Sequence, residues 1–235
     1  MTTPSIQRVN RLDLTVRPWR WPFAEEKRQD IDAYFAAQRV KTLALWNGVV
    51  LLGRNASFAS DCFRADYFET DFASFLAWRD WGFPDKAVFN GFGMGALRGN
   101  DGAFVLGEMS ANTANPGRIY FPAGMSDPCD VKDGAFDLAG GIVREVGEET
   151  GLARSEYRAD PHWYCLDRGP LIAVIQLLDA DLPGTALRAR IEANLAAEPS
   201  PELRAIHLVW GRADFTQAMP VYVTDFIDYA VSAAI

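Results

Sequence analysis

Arg144-Glu145-Val146-Gly147-Glu148-Glu149-Thr150-Gly151-Leu152 is the stretch of this 235-residue chain from which its fold and chemistry are read. Glu145, Glu148 and Glu149 stand at i, i+3 and i+4, so a helix turns all three carboxylates to one face. Like charges at that spacing repel and cost the helix stability. A hard divalent cation among the oxygens offsets the repulsion; Mg²⁺ and Mn²⁺ prefer carboxylate and water ligands, commonly beside substrate phosphates. The opposite face carries Ala139, Val143, Val146 and Thr150 with the spacing of a buried stripe. Gly151 is placed as the helix stop. A Glu-Glu pair alone more often marks a solvated face. The full pattern R-E-hydrophobic-x-E-E-x-G-hydrophobic arises by chance in a chain this long roughly once in 100,000 cases, which favours a metal-holding helix packed on a core.

These nine residues resemble the second half of the signature of the Nudix hydrolase family, G-x5-E-x7-R-E-U-x-E-E-x-G-U, where U is a bulky aliphatic. The resemblance is looser over residues 86–215. The first half of the signature departs: its glutamate falls at Phe136 and its glycine at Asp130. Tyr120-Phe121-Pro122-Ala123-Gly124 is similar to the family's Pro-Gly-Gly segment. Gly124 lies six residues early, which implies a loop insertion from Met125 to about Phe136. Asp127, Asp130, Asp133 and Asp137 are candidates to replace the missing glutamate as the arginine's partner, and Asp137 is the nearest in sequence.

The resemblance implies a Nudix-like α/β/α sandwich with a mixed sheet, and Mg²⁺ or Mn²⁺ as cofactor. It implies hydrolysis of the diphosphate linkage in a nucleoside diphosphate joined to another group X, such as a nucleotide sugar or an ADP-ribose-like molecule. Positions matching Glu145 and Glu149 are metal ligands in that family. The position matching Glu148 is a further ligand or takes the proton from water, and Arg144 orients a glutamate. A backbone carbonyl near Ala123 or Gly124 is an implied extra ligand. The general base varies in such enzymes, and Glu198 and Glu202 are candidates outside the motif. Two other readings stand beside this one. The degraded first half suits a catalytically weak or inactive domain that binds a nucleotide and regulates a partner. A purely structural acidic helix predicts no divalent-ion effect at all.

Composition bounds the rest. With 49% hydrophobic residues the chain can bury a substantial core. A net charge of −8 argues against a polyanion partner such as nucleic acid, although a bound cation would reverse the local field for a small nucleotide. No apolar run spans a bilayer, and the first residues lack a basic region followed by an apolar one. Cys62, Cys129 and Cys165 have no metal, redox or paired spacing, which suits reduced thiols in a cytoplasm; Cys129 reads as an incidental thiol. His162 and His207 lack a partner at metal spacing and read as structural. Trp19, Trp21, Trp78 and Trp81 read as packing. Arg98, Arg118 and Arg168 lie near strand ends and each reads as solvated.

The spacing predicts an N-terminal α/β extension over 1–84 and the hydrolase domain over 85–235, with Gly82 and Pro84 at the boundary. The extension is expected to serve substrate or a homodimer. Its expected elements are a strand at 11–17, a helix at 22–38, a hairpin at 43–52 turning at Asn47-Gly48, and a helix capped by Thr70 and running to Trp81. The second part is expected to hold strands at 87–97 and 103–109, turning at Asn100-Asp101-Gly102, and short strand 118–121. Helix 138–150, strand 171–178, helix 186–197, strand 206–210 and helix 222–234 follow. Gly93, Gly95 and Gly99 could mark a dinucleotide loop, but strand-turn-strand follows them rather than a helix.

Overall fold

Residues 5–41, 45–113 and 115–235 are described by the computed structural model of the chain. The first strands are β1 (Ser5–Val9) and β2 (Arg11–Val16), and helices α1 (Pro22–Glu26) and α2 (Arg28–Lys41) follow. The long pair β3 (Val49–Ala59) and β4 (Cys62–Asp71) leads into α3 (Phe72–Asp80). Next come β5 (Val88–Arg98), β6 (Phe104–Met109), β7 (Ile119–Tyr120) and a small hairpin, β8 (Val131–Lys132) with β9 (Ala135–Phe136). Helix α4 (Leu138–Thr150) is followed by β10 (Tyr157–Ala159), β11 (Trp163–Asp167), β12 (Leu171–Ala180), α5 (Gly184–Leu195), β13 (Leu203–Val209) and α6 (Val221–Ala233).

The strands form one mixed sheet in the order β1-β11-β12-β5-β3-β4-β2-β9-β8, with β6 joined to β5, β7 and β13, and β10 to β12. β12 runs parallel to β5 and β2 parallel to β4, while β3–β4, β5–β6 and β1–β11 are antiparallel. The sheet is continuous across position 84. Gly53 and Arg54 of β3 pair with Phe89 and Val88 of β5, and β1 pairs with β11.

Strand alternation sorts the layers. On β5, added methyl groups at Gly93 and Gly95 would sit 2.8–2.9 Å from Leu138, Ile142, Val146 and Leu178. Its neighbour Phe92 meets Tyr222 of α6 at a centroid distance of 5.4 Å. Helices α4 and α6 therefore cover opposite faces. The glycines are the flat surface that lets α4 approach β5, which disposes of the dinucleotide-loop reading. In the other half, Val50, Leu52 and Phe68 pack with Trp21, Phe75 and Trp78 against α1 and α3. Leu51, Tyr67 and Phe89 turn the other way, into the main core.

Several expected elements are displaced. No hairpin turns at Asn47-Gly48: β3 begins at Val49 and reverses at Ser60-Asp61, two residues with positive φ, before β4. Residues 42–44 of that expected hairpin lie outside the described residues. The 22–38 helix is two helices, interrupted at Lys27. Asp71, not Thr70, caps α3, accepting from the Ser74 N–H at 2.9 Å while Arg28 holds its other oxygen. An ion-paired carboxylate is the stronger acceptor at a helix N-terminus. The β5–β6 turn, α4 and the three closing elements lie close to the expected positions. The packed tryptophans are as expected, Trp21 and Trp78 meeting edge-on at 6.1 Å. Among the described residues no helix is long and apolar enough to cross a membrane, and Cys62, Cys129 and Cys165 are all free.

Candidate functional site

Helix α4 is assembled for its site as much as for its core. Asp137 caps it, its side chain accepting from the Gly140 N–H at 2.9 Å, and Gly151 ends it at φ 69°, the left-handed region open to glycine. Leu138, Ile142 and Val146 form the buried stripe. The expected stripe holds at Val146 and Thr150, which are buried, and is one step off at its start, where Ala139 is exposed and Val143 half-buried. The helix turns Leu138, Ile142 and Val146 to the glycines of β5. In that orientation Glu149 is 5% exposed, while Glu148 stays in solvent. The three carboxylates thus span from the buried edge of the helix to its open face.

The loop after β7 completes the wall. Glu149 Oε1 accepts the Ala123 N–H at 3.3 Å. Glu145 packs against Gly124, where an added Cβ would lie 1.9 Å from Oε1, so a larger residue there would push the Glu145 carboxylate aside. Arg144 reaches across three carboxylates. Its Nη1 donates to Glu145 Oε1 at 2.6 Å and Glu148 Oε2 at 3.1 Å, and its Nη2 donates to Asp130 Oδ1 at 3.1 Å. The arginine's outside partner is therefore Asp130, presented by a single 3-10 turn at Pro128–Asp130, and not Asp137, which is occupied in capping. Phe136, at the signature's glutamate position, is buried in the core 4.7 Å from the Tyr67 ring.

The electrostatics are strongly acidic. Burial raises the Glu149 carboxyl well above its ordinary range, and the neighbouring Glu145, Glu202 and Glu148 charges add to the rise. Burial also raises Glu145, and Arg144 offsets only part of it. Glu202 lies in the loop before β13, exposed, close enough that its charge bears on both residues. Glu198, the other loop candidate, accepts instead from Asn194 Nδ2 at 2.7 Å. One guanidinium pairs with Asp130, Glu145 and Glu148, and Glu149 and Glu202 add further negative charge beside them. Hard oxygen donors with excess negative charge fit a divalent cation. Glu145, Glu148 and Glu149 do not bring three ligand oxygens within 4.8 Å of one another; among the described residues only Asp127, Cys129 and Asp130 do so. That trio is already satisfied. Asp127 accepts from the Cys129 N–H at 2.7 Å, Asp130 is tied to Arg144, and the Asp127 hydrogen bond helps push the Cys129 thiol up to about 11. A thiol so raised is neither a ready ligand nor a nucleophile.

The remaining candidates are structural. Arg98 bonds Asp179 and the Ile235 carbonyl, and Arg168 pairs with Asp225. Arg118 is exposed and reaches the Gln217 carbonyl at 3.4 Å. His207 meets Glu108 at 2.9 Å, and His162 meets Asp160 at 2.8 Å. Asp130 as the ion-pair partner was only one of four aspartates in sequence; what singles it out is the Pro128 turn, which no periodicity marks.

The fold and site together define an α/β protein with an acidic helix face beside its sheet. No protein-family model matches the chain, and no curated protein matches it. Similar solved structures include a Nudix hydrolase, RenU from M. smegmatis, at TM-score 0.40 and 17% identity, covering 63% of this chain and 91% of that one. The Nudix domain of Shewanella oneidensis NrtR, complexed with ADP ribose, is similar at TM-score 0.39 and 16% identity, over 71% of this chain and 100% of that one. A bifunctional NMN adenylyltransferase/ADP ribose pyrophosphatase from Francisella tularensis, complexed with AMP and Mn ion, gives TM-score 0.41 and 14% identity, over 68% and 46%. Likenesses of this size assign neither family nor ligand, and the functional reading rests on the residues.

Proposed function

We propose that this chain is a Nudix-type pyrophosphohydrolase that splits the diphosphate linkage of a nucleoside diphosphate joined to another group X, with Mg²⁺ or Mn²⁺ as cofactor. The nucleotide-sugar and ADP-ribose-like classes are the substrates of choice. The observation that carries the reading is Arg144 set among clustered carboxylates, two of them raised by burial, on the helix whose sequence matches R-E-U-x-E-E-x-G-U.

In this reading Glu145, Glu148 and Glu149 hold the cation, with a backbone carbonyl near Ala123 or Gly124 in support. A bound divalent cation supplies charge neutralisation at the phosphoryl oxygens and a lowered pKa for the attacking water. Arg144 keeps Glu145 and Glu148 aimed together. Glu202 accepts the proton from water; it is exposed, and its charge already acts on Glu145 and Glu149. Residues 1–84 serve as an extension that walls the site or builds a homodimer, and 85–235 as the hydrolase domain. The non-catalytic reading rested on the missing glutamate at 136, and Asp130 now meets the arginine that it would have met.

The test is a product screen of the full chain against nucleotide sugars, ADP-ribose, NADH, dinucleoside polyphosphates, coenzyme A and nucleoside triphosphates, each with Mg²⁺, Mn²⁺ or chelator. Hydrolysis of one class, abolished by chelator, is the expected result. No turnover of any class, with no cation-dependent stabilisation, would remove the proposal.

A further inference from the structure

We infer that Asp130 is a positioning residue: it anchors Arg144 from outside the helix and through it sets the carboxylates of Glu145 and Glu148 for cation binding. This rests on the function proposed above.

The guanidinium is divided between two tasks. Nη2 faces Asp130, at 3.1 Å from Oδ1 and 3.4 Å from Oδ2, and Nη1 faces Glu145 and Glu148. Because the group is planar and rigid, fixing one nitrogen fixes the direction of the other. Asp130 can do the fixing because it is itself immobile. Its side chain is 7% exposed, its N–H donates to the Asp127 carbonyl at 3.1 Å, and its carbonyl accepts from Asp137 at 2.7 Å. The loop that carries it is stapled to the sheet at both ends. Leu51 donates to the Ser126 carbonyl at 2.9 Å, the Ser126 hydroxyl donates to the Gly91 carbonyl at 3.1 Å, and Val16 donates to the Gly134 carbonyl at 2.8 Å. Helix α4 is relieved to receive it: a Cβ at Gly141 would stand 3.1 Å from Asp130 Oδ1. Glu148, whose side chain is 61% exposed, has Arg144 as its one ion-pair partner among the described residues, so its direction follows that of the guanidinium. Without Asp130, Nη2 loses its anchor, the guanidinium is free to turn, and Glu145 and Glu148 lose their shared direction.

Asp130→Asn keeps size and removes charge. Mn²⁺ affinity of the full-length chain, measured by titration calorimetry beside the cation-free melting temperature, is expected to fall about 10-fold or more, in the range typical of residues that orient metal ligands. A loss of charge alone would act at any state of the arginine, so the second readout is a double-mutant cycle with Arg144→Lys. The double variant is expected to bind Mn²⁺ no more weakly than Arg144→Lys alone; losses that multiply would overturn the inference, as would wild-type affinity in Asp130→Asn. Should Asp130→Asn fail to fold, Asp130→Ser removes the same carboxylate with a smaller polar side chain. A several-fold weaker Mn²⁺ affinity with folding intact is expected there, and unchanged affinity overturns the inference. A wild type that neither binds Mn²⁺ nor hydrolyses any substrate takes the proposed function down and this inference with it. A wild type that does both, beside an unaffected Asp130→Asn, takes down the inference alone.

Discussion

Glu149 shows how a residue's environment converts sequence into chemistry. It is nearly fully buried, with the Ala123 N–H as its one hydrogen-bond donor among the described residues, and its carboxyl is held well above the ordinary range. A buried charge left short of partners costs free energy. Glu149→Gln should therefore raise the cation-free melting temperature at neutral pH, by about 2–4 °C for each kcal/mol relieved, while removing cation-dependent turnover. A melting scan with and without Mg²⁺ beside the activity assay checks both halves, and a variant that keeps full turnover would dismiss Glu149 as a ligand. Phe136 makes the opposite point. Restoring the signature by Phe136→Glu puts a carboxylate beside Tyr67 in the core. It should destabilise the protein by several kcal/mol, the penalty of an unpaired buried charge, with no gain in activity. Denaturant titration measures the loss. The general-base assignment is also a matter of one residue: Glu202→Gln should lower kcat about 10²- to 10⁴-fold with Mn²⁺ affinity changed far less, and equal losses in both would make Glu202 a ligand instead.

Within one element, α4 balances helix propensity against site geometry. It carries Gly140, Gly141 and Gly147, each worth about 1 kcal/mol less than alanine in a helix interior. A Cβ at Gly140 would lie 2.4 Å from Asp137 Oδ2 and press on the capping carboxylate, and Gly141 leaves room for Asp130. Gly147 meets nothing closer than the Leu152 carbonyl at 3.8 Å, and the structure gives no reason for it. Gly147→Ala should therefore stabilise the chain by about 0.4–1 kcal/mol with activity retained, read as a higher denaturation midpoint. Gly151→Ala should do the reverse, since its φ is positive and a Cβ would lie 2.3 Å from Asn194. The same bookkeeping of space explains what the pattern of the helix did and did not foretell. Its limits and the identity of its acidic face were legible from the spacing of Glu145, Glu148 and Glu149 and from Gly151. The stripe was read correctly at Val146 and Thr150 and one residue off at its start, where Leu138 and Ile142 rather than Ala139 and Val143 meet the glycines of β5.

For the whole molecule, the acidic site sets a pH dependence. Burial raises the Glu145 and Glu149 carboxyl pKa in the folded chain, so the folded state keeps protons that the unfolded chain has released. That contribution to stability is complete below the unfolded carboxyl value of about 4.3 and is lost as pH rises through the raised folded values. With chelator present, melting temperature should thus fall as pH rises from about 5 toward neutrality, and Mg²⁺ should restore more of it at the upper end. Melting curves across that range check the sign. An Mg²⁺ effect greatest at the acid end would contradict the site.

The sequence by itself determined the acidic helix with its stop at Gly151, the β5–β6 turn, the three closing elements and the α/β class, because those depend on local spacing, turn residues and periodicity; the short strands β8 to β11 were not foreseen. Tertiary structure decided the rest. The partner of Arg144 is set by a turn fourteen residues away in a loop whose path no periodicity records. The burial of Glu149 is set by the approach of α4 to a glycine-surfaced strand. The joining of residues 5–71 to the later sheet, through β1 on β11 and β3 on β5, is set by pairings between segments far apart in the chain. Each of these is a contact of long sequence separation, and its free energy appears only when the chain has closed on itself.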